Sequence, residues 1–218
     1  MKGSVAMRRS TGRSADAPGI DPGVVGYEIV VVGTSWGGLD AIRSLLDSLP
    51  AEYEMPMIIV QHRYRDSDAS LARILQEHTR LRVCEVEDKQ PVDAGAVYLA
   101  PANYHTLVEE GHFSLSTEAP VRYSRPSIDV TMMSAASAYR HRTVGVVLTG
   151  SNDDGSAGLR RIADVGGIAV VQDPATAHAI QMPAAAVRAV SSARVFPIAR
   201  MGAFLGALPF AHSRPSPA

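Results

Sequence analysis

A serine on a sharp turn, a histidine behind a strand and two adjacent aspartates are the residues of this chain equipped for nucleophilic chemistry. Ser35 stands in Gly33-Thr34-Ser35-Trp36-Gly37-Gly38, directly after the apolar run Ile29-Val30-Val31-Val32. Leu39, Ile42, Leu45 and Leu46 then recur at helical spacing, so the hydroxyl rides a strand-to-helix turn. Gly33 to Gly37 fits the G-x-S-x-G pattern of a nucleophile elbow. The glycines fit neither G-x-G-x-x-G nor, with no lysine after them, a P-loop. A purely structural turn is the plainer alternative. The unpaired N–H groups at a helix start favour an anion beside the hydroxyl, and that combination points to acyl transfer.

Such a serine needs a base and a group to orient the base. His62 follows the strand-like Met57-Ile58-Ile59-Val60-Gln61. The loop Gly150-Ser151-Asn152-Asp153-Asp154-Gly155-Ser156 follows the buried-looking run Thr143 to Thr149. A histidine after a strand is often only a hydrogen-bonded surface residue, and Asp-Asp-Gly is often a turn or helix cap. Their common position, each just past a strand of one sheet, argues for a set. Two chain orders remain open on the residues alone. One is Ser35, His62 and Asp154. The other is the serine–acid–histidine order of ordinary α/β-hydrolases, with Asp153 or Asp154 as the acid and His178 or His212 as the base.

The elements that must position these loops alternate along the chain. Residues 1–25 and 211–218 are polar, Pro- and Ser-containing and aperiodic, which predicts tails around one domain at 26–210. Strands are expected at 28–33, 57–61, 143–149 and 168–172, and helices at 38–48, 67–78, 127–140, from Ser156, at 183–189 and at 199–207. Between them, 82–86, 96–99, 105–109 and 113–116 read as short strands, with Glu110-Gly111 as a hairpin tip. The pattern predicts an α/β fold: a mostly parallel sheet with helices on both faces, and the β-rich middle as an antiparallel hairpin addition.

Composition removes several function classes. The net charge of −1 leaves no basic footprint for nucleic acid, and aromatics at 6% leave few stacking platforms. The single cysteine, Cys84, lies in a strand-like run and reads as a packed thiol; it excludes an internal disulfide. No apolar run reaches the length of a membrane span. Lys2, Arg8, Arg9 and Arg13 are not followed by the apolar core of a signal peptide, so a cytoplasmic location and no membrane insertion are expected. His78, His105 and His112 are spaced like no metal motif, so neither metal nor cofactor is expected.

Six segments, taken in order, resemble the catalytic domain of the chemotaxis protein-glutamate methylesterases, the CheB family. They are Val31 to Gly38, Ile59 to His62, Tyr98 to Pro101, Arg125 to Val130, Val147 to Gly150 with Asp154-Gly155, and Met182-Pro183. The resemblance implies hydrolysis of glutamyl γ-methyl esters on helical chemoreceptors, with glutamine deamidation as a companion activity. It implies Ser35 as nucleophile, His62 as base and Asp154, which directly precedes the glycine, as orienting acid. It also puts Arg125 and Ser127 on the cleft wall, Met182 beside the substrate and the Ser151 amide at the oxyanion. Two departures stand out. Trp36 replaces a small residue after the nucleophile, which makes it a cleft-narrowing or receptor-contacting residue, or else a buried structural one. Ser151-Asn152 replaces the usual Met-Gly. Family members also carry an N-terminal receiver domain where this chain shows a short tail, so a stand-alone esterase or a separated catalytic half is expected. Arg63 and Arg65 are further candidates for pairing with an acidic receptor surface. The alternatives are a serine esterase for small esters and a non-catalytic binding module of the same fold.

Overall fold

Four consecutive branched residues, Ile29 to Val32, favour extended backbone and need cover on both faces. In the computed structural model, which describes residues 26–63 and 70–211, they form β1 (Ile29–Thr34), buried throughout. Then follow α1 (Gly38–Asp47), β2 (Met57–Gln61), α2 (Ser70–Gln76), β3 (Arg82–Glu85), β4 (Ala96–Leu99), β5 (His105–Glu109), β6 (His112–Ser116) and α3 (Ile128–Ala138). The chain closes with β7 (Thr143–Val147), α4 (Ser156–Asp164), β8 (Ile168–Gln172), α5 (Gln181–Ala189), β9 (Arg194–Phe196) and α6 (Ile198–Gly206). The tail expected at 1–25, all but the first residue of the tail expected at 211–218, the start of the helix expected at 67–78, Arg65 and His212 lie outside the described residues.

Seven strands form one parallel sheet in the order β3-β4-β2-β1-β7-β8-β9. The chain grows outward from β1 through β2, then returns to the other side of β1 with β7. The loops after β1 and β7 therefore diverge and open a crevice at the strands' carboxyl ends, where α/β sheets place their sites. Alternate residues of β1 face opposite layers. Val30 and Val32 pack with Ile42, Leu45, Leu75, Met201 and Leu205 from α1, α2 and α6. Ile29 and Val31 pack with Ile128, Met132, Leu159, Ile162 and Met182 from α3, α4 and α5.

Three elements differ from the sequence reading. Only β5 and β6 form the antiparallel hairpin, turning at Gly111 with φ 80°. β3 and β4 instead extend the main sheet in parallel, with Val97 paired to Met57 on one side and Val83 on the other. Val97 and Tyr98 are fully buried, which a two-strand ribbon alone cannot achieve. β9, three half-exposed residues on the sheet edge, gave no periodic signal.

Candidate active site

The turn carrying Ser35 is held by its backbone from both neighbouring strands. The Ser35 N–H donates to the Thr149 carbonyl at 2.9 Å. The Ser35 carbonyl accepts from Gln61 Nε2 at 2.9 Å and from the Gly38 N–H at 2.9 Å. Thr149 Oγ1 donates to the Trp36 carbonyl at 2.9 Å. Gly37, at φ 77°, takes the left-handed conformation that starts α1, and a Cβ there would lie 2.6 Å from His178 Cβ. These contacts fix the main chain and leave the Ser35 side chain half-exposed at the crevice.

His62 follows β2, its N–H donating to the Thr34 carbonyl at 3.1 Å. Its side chain is 13% exposed and bridges the other two loops. Nδ1 lies 3.3 Å from Ser35 Oγ, and Nε2 lies 2.8 Å from Asp154 Oδ2. The ring is thus used the other way round from the chymotrypsin arrangement, where Nε2 faces the hydroxyl. A carboxylate only accepts, so Nε2 carries the hydrogen and Nδ1 the lone pair. That lone pair can take the Ser35 proton.

Asp154 is fully buried. Besides His62 it accepts from Ser127 Oγ at 3.0 Å, the Ile128 N–H at 2.8 Å and the Asp129 N–H at 2.9 Å. The last two are first-turn amides of α3, so the carboxylate also meets the positive end of that helix. Burial opposes charge on Asp154, but the hydrogen bonds from His62 and from the Asp129 and Ile128 amides outweigh it. The carboxyl is held below the usual carboxylate range. Asp129 is the contrast: burial dominates and raises it, although its Oδ1 accepts from the Gly158 N–H at 2.7 Å. The Ile128 side chain fills the space above Gly33 and Gly155, tying the helix that holds the acid to the strand that holds the serine.

The neighbouring Asp153 points outward and pairs with Arg122 at 2.5 Å, whose hydrogen bond holds it low. The choice left open between the two aspartates is thereby made by geometry. His178 is exposed, against Gly37 and 6.3 Å from the Trp36 ring, and Ser35 meets His62 instead. Trp36 is 66% exposed on the rim, which removes the buried structural reading. Ser151 is exposed on the loop, whose preceding Gly150 is anchored to Ala179 and Met182.

Other candidates sit elsewhere than expected. Met182 is fully buried, its side chain packed under Gly150, so it supports the loop rather than facing substrate. Ser127 is the buried N-cap of α3, spent on Asp154. Arg125 donates to the Thr117 and Glu118 carbonyls and to Asn103 Oδ1, clamping the wall of a cavity of about 130 Å³ beside His62. Arg63, a candidate for pairing with an acidic receptor surface, is 8% exposed and pairs within the chain with Glu85 at 2.7 Å. Sequence reasoning missed Gln61, Thr149 and Asn152, the last with Nδ2 3.4 Å from His62 Nδ1. Gln61 ends β2 and Thr149 lies two positions past β7, and both could have been found as polar residues closing apolar runs.

The model of the family described as CheB methylesterase matches residues 30–205. A Leptospira interrogans protein, named provisionally as a protein-glutamate methylesterase/protein-glutamine glutaminase, is 44% identical over 166 residues, 76% of this chain and 86% of that protein. Protein-glutamate methylesterase FrzG of Myxococcus xanthus is 36% identical over 180 residues, 82% of this chain but 53% of its own length. The crystal structure of the Thermotoga maritima CheB methylesterase catalytic domain superposes with a TM-score of 0.79 at 30% identity, covering 83% of this chain and 98% of that one. Since the matched stretch takes in β1 through most of α6, and with them all three loops that meet at His62, this chain belongs to the CheB methylesterase family.

Proposed function

We propose that this chain hydrolyses the γ-methyl esters of glutamyl side chains on methyl-accepting chemotaxis receptors, in the cytoplasm, by a serine–histidine–aspartate mechanism. The observation that carries the reading is His62 bridging Ser35 Oγ and buried Asp154 through opposite ring nitrogens. Ser35 Oγ attacks the ester carbonyl carbon while its proton passes to Nδ1. The tetrahedral adduct collapses, the methoxy oxygen takes the Nδ1 proton, and methanol leaves. Water then repeats the cycle on the acyl-enzyme and frees the glutamate. Asp154 holds the ring in the Nδ1-bare tautomer and stabilises the imidazolium that forms. The Trp36 and Ser151 main-chain amides are the donors assigned to the oxyanion. The same steps on a glutaminyl amide release ammonia, and the names of several relatives include that activity. No described helix is long and apolar enough to cross a membrane.

The test is methanol release from methylated receptor, wild type beside Ser35→Ala. Release that disappears in the variant supports both reaction and nucleophile. Release that persists in the variant overturns the assignment of Ser35. Turnover of short-chain esters with none of methylated receptor would move the substrate to small molecules.

A further inference from the structure

Asn152 lies on the β7–α4 loop, half-buried and pinned at its oxygen. Its Oδ1 accepts from the Asp154 N–H at 3.2 Å. Its Nδ2 stands 3.4 Å from His62 Nδ1, the atom that Ser35 Oγ approaches at 3.3 Å. An amide nitrogen only donates, and Nδ1 offers one lone pair because Nε2 keeps its hydrogen for Asp154. Two donors therefore share one acceptor. Their contributions diverge as soon as the proton moves. The Asn152 contact favours a ring with Nδ1 bare. After Nδ1 has taken the serine proton, N–H faces N–H and the contact turns repulsive. The carboxamide must then find another acceptor, and the one newly present in the cleft is the carbonyl oxygen of the adduct, which has just become negative. The glycine that the CheB pattern usually has here would offer no such group.

We propose that Asn152 is a further catalytic residue. At rest its Nδ2–H faces the lone pair of His62 Nδ1; during attack the same amide turns to the negative oxygen, adding a side-chain donor to the main-chain ones. This rests on Ser35 and His62 being nucleophile and base, but not on the identity of the ester. The charged groups around the ring are Asp154 on Nε2, Asp129 behind it, the Arg122–Asp153 pair on the rim, Arg63 and Arg125 by the adjoining cavity, and His178 past Trp36. A change at Asn152 replaces none of these side chains, and of the variants below only N152A removes the oxygen that accepts from the Asp154 N–H.

The experiment is the rate of Ser35 labelling by an alkyl fluorophosphonate between about pH 5 and about pH 9, a range that spans histidine titration. The serine Oγ–P bond forms, P–F breaks, fluoride leaves and the serine proton passes to Nδ1, so the probe needs no receptor. N152A is expected to label about 10²- to 10³-fold more slowly, as for the loss of one oxyanion donor. The acid limb of its rate profile moves to higher pH, because one of the two donors that favour a bare Nδ1 is gone. N152D keeps the side-chain shape and the oxygen that caps Asp154, yet sets an acceptor against Nδ1. Its limb moves further in the same direction, and it carries the test if N152A does not fold. Wild-type labelling rates with an unmoved limb in both variants overturn the proposal, and so does a lowered Tm with an unmoved limb, the mark of a purely structural asparagine. Normal labelling of wild type without methanol release from receptor overturns the substrate assignment and leaves Asn152 to be judged by its variants. A wild type whose Ser35 does not label, like Ser35→Ala, overturns both.

Discussion

The two ends of the site are built differently. At the acid end, Asp154 is fully buried and receives hydrogen bonds from His62, a hydroxyl and two main-chain amides. At the nucleophile end, Ser35 is half-exposed, its Oγ meets His62 at 3.3 Å, and beside it is a tryptophan that is 66% exposed. The acid is over-determined by the fold, whereas only the backbone of the serine is. A buried carboxylate must be fully satisfied or the fold loses stability. A nucleophile has to stay accessible, and in free enzymes such contacts are often long until substrate tightens them.

The sharpest way to break this contrast is Ser35→Ala. It should lower turnover by about 10³-fold or more, while stability stays within about 0.5 kcal/mol in urea unfolding, as for a surface change. A large loss of stability would mean that the serine end is structural too. Asp154→Ala should do the opposite in kind: a comparable loss of turnover joined by about 3 kcal/mol of destabilisation, since Ser127, His62 and two amides of α3 lose a buried acceptor. Unchanged unfolding in that variant would show the acid end to be no more tightly built than the serine end.

A pH series sharpens the acid end itself. Asp154 has a lowered carboxyl, so in the folded state it binds a proton less readily than in the unfolded chain. Its contribution to stability is complete above the unfolded value of about 3.9 and is lost as pH falls through the lower folded value. Asp129, raised by burial, works in the reverse sense: it costs stability above its folded value and that cost is relieved as pH falls through it towards the unfolded one. Asp154→Asn should therefore flatten the acid-side loss of stability, and Asp129→Asn should steepen it, when urea midpoints are followed from about pH 7 to about pH 3. Parallel profiles for both variants would refute the assignment. The smallest effect is expected at the rim. Trp36→Ala should raise KM for receptor several-fold, about 1 kcal/mol of exposed contact, with kcat on short esters and stability nearly unchanged. An equal loss on both substrates would place Trp36 in the chemistry.

The same contrast explains what could be read in advance. The nucleophile turn is local: Ile29 to Gly38 contains the strand, the serine, the left-handed glycine and the helix start, so its pattern was legible. The surroundings of the acid are not local. Ser127, Ile128 and Asp129 reach Asp154 from 25 to 27 positions away, and nothing in Asp-Asp-Gly tells which aspartate turns inward. The reading of β3 and β4 failed for a related reason. Short strands carry no label for parallel or antiparallel pairing, and only the burial of Val97 and Tyr98 between layers decides it. Met182 had the right place and the wrong direction, because the face a helical residue shows depends on what packs over it.

Ile128 gives the spacing of the site its gauge. The side chain takes no part in any proton transfer, yet its bulk sets how near α3 can approach the ends of β1 and the loop after β7. Positions 33 and 128 are therefore free to change only together, while 155, at φ 94°, is held to glycine by its backbone as well. An added methyl at 33 or 155 would wedge the helix outward and carry the acid's amides with it, whereas a smaller residue at 128 would let the strand ends and the helix settle closer. The reach from hydroxyl to carboxylate is tuned by aliphatic volume, one layer behind the atoms that react.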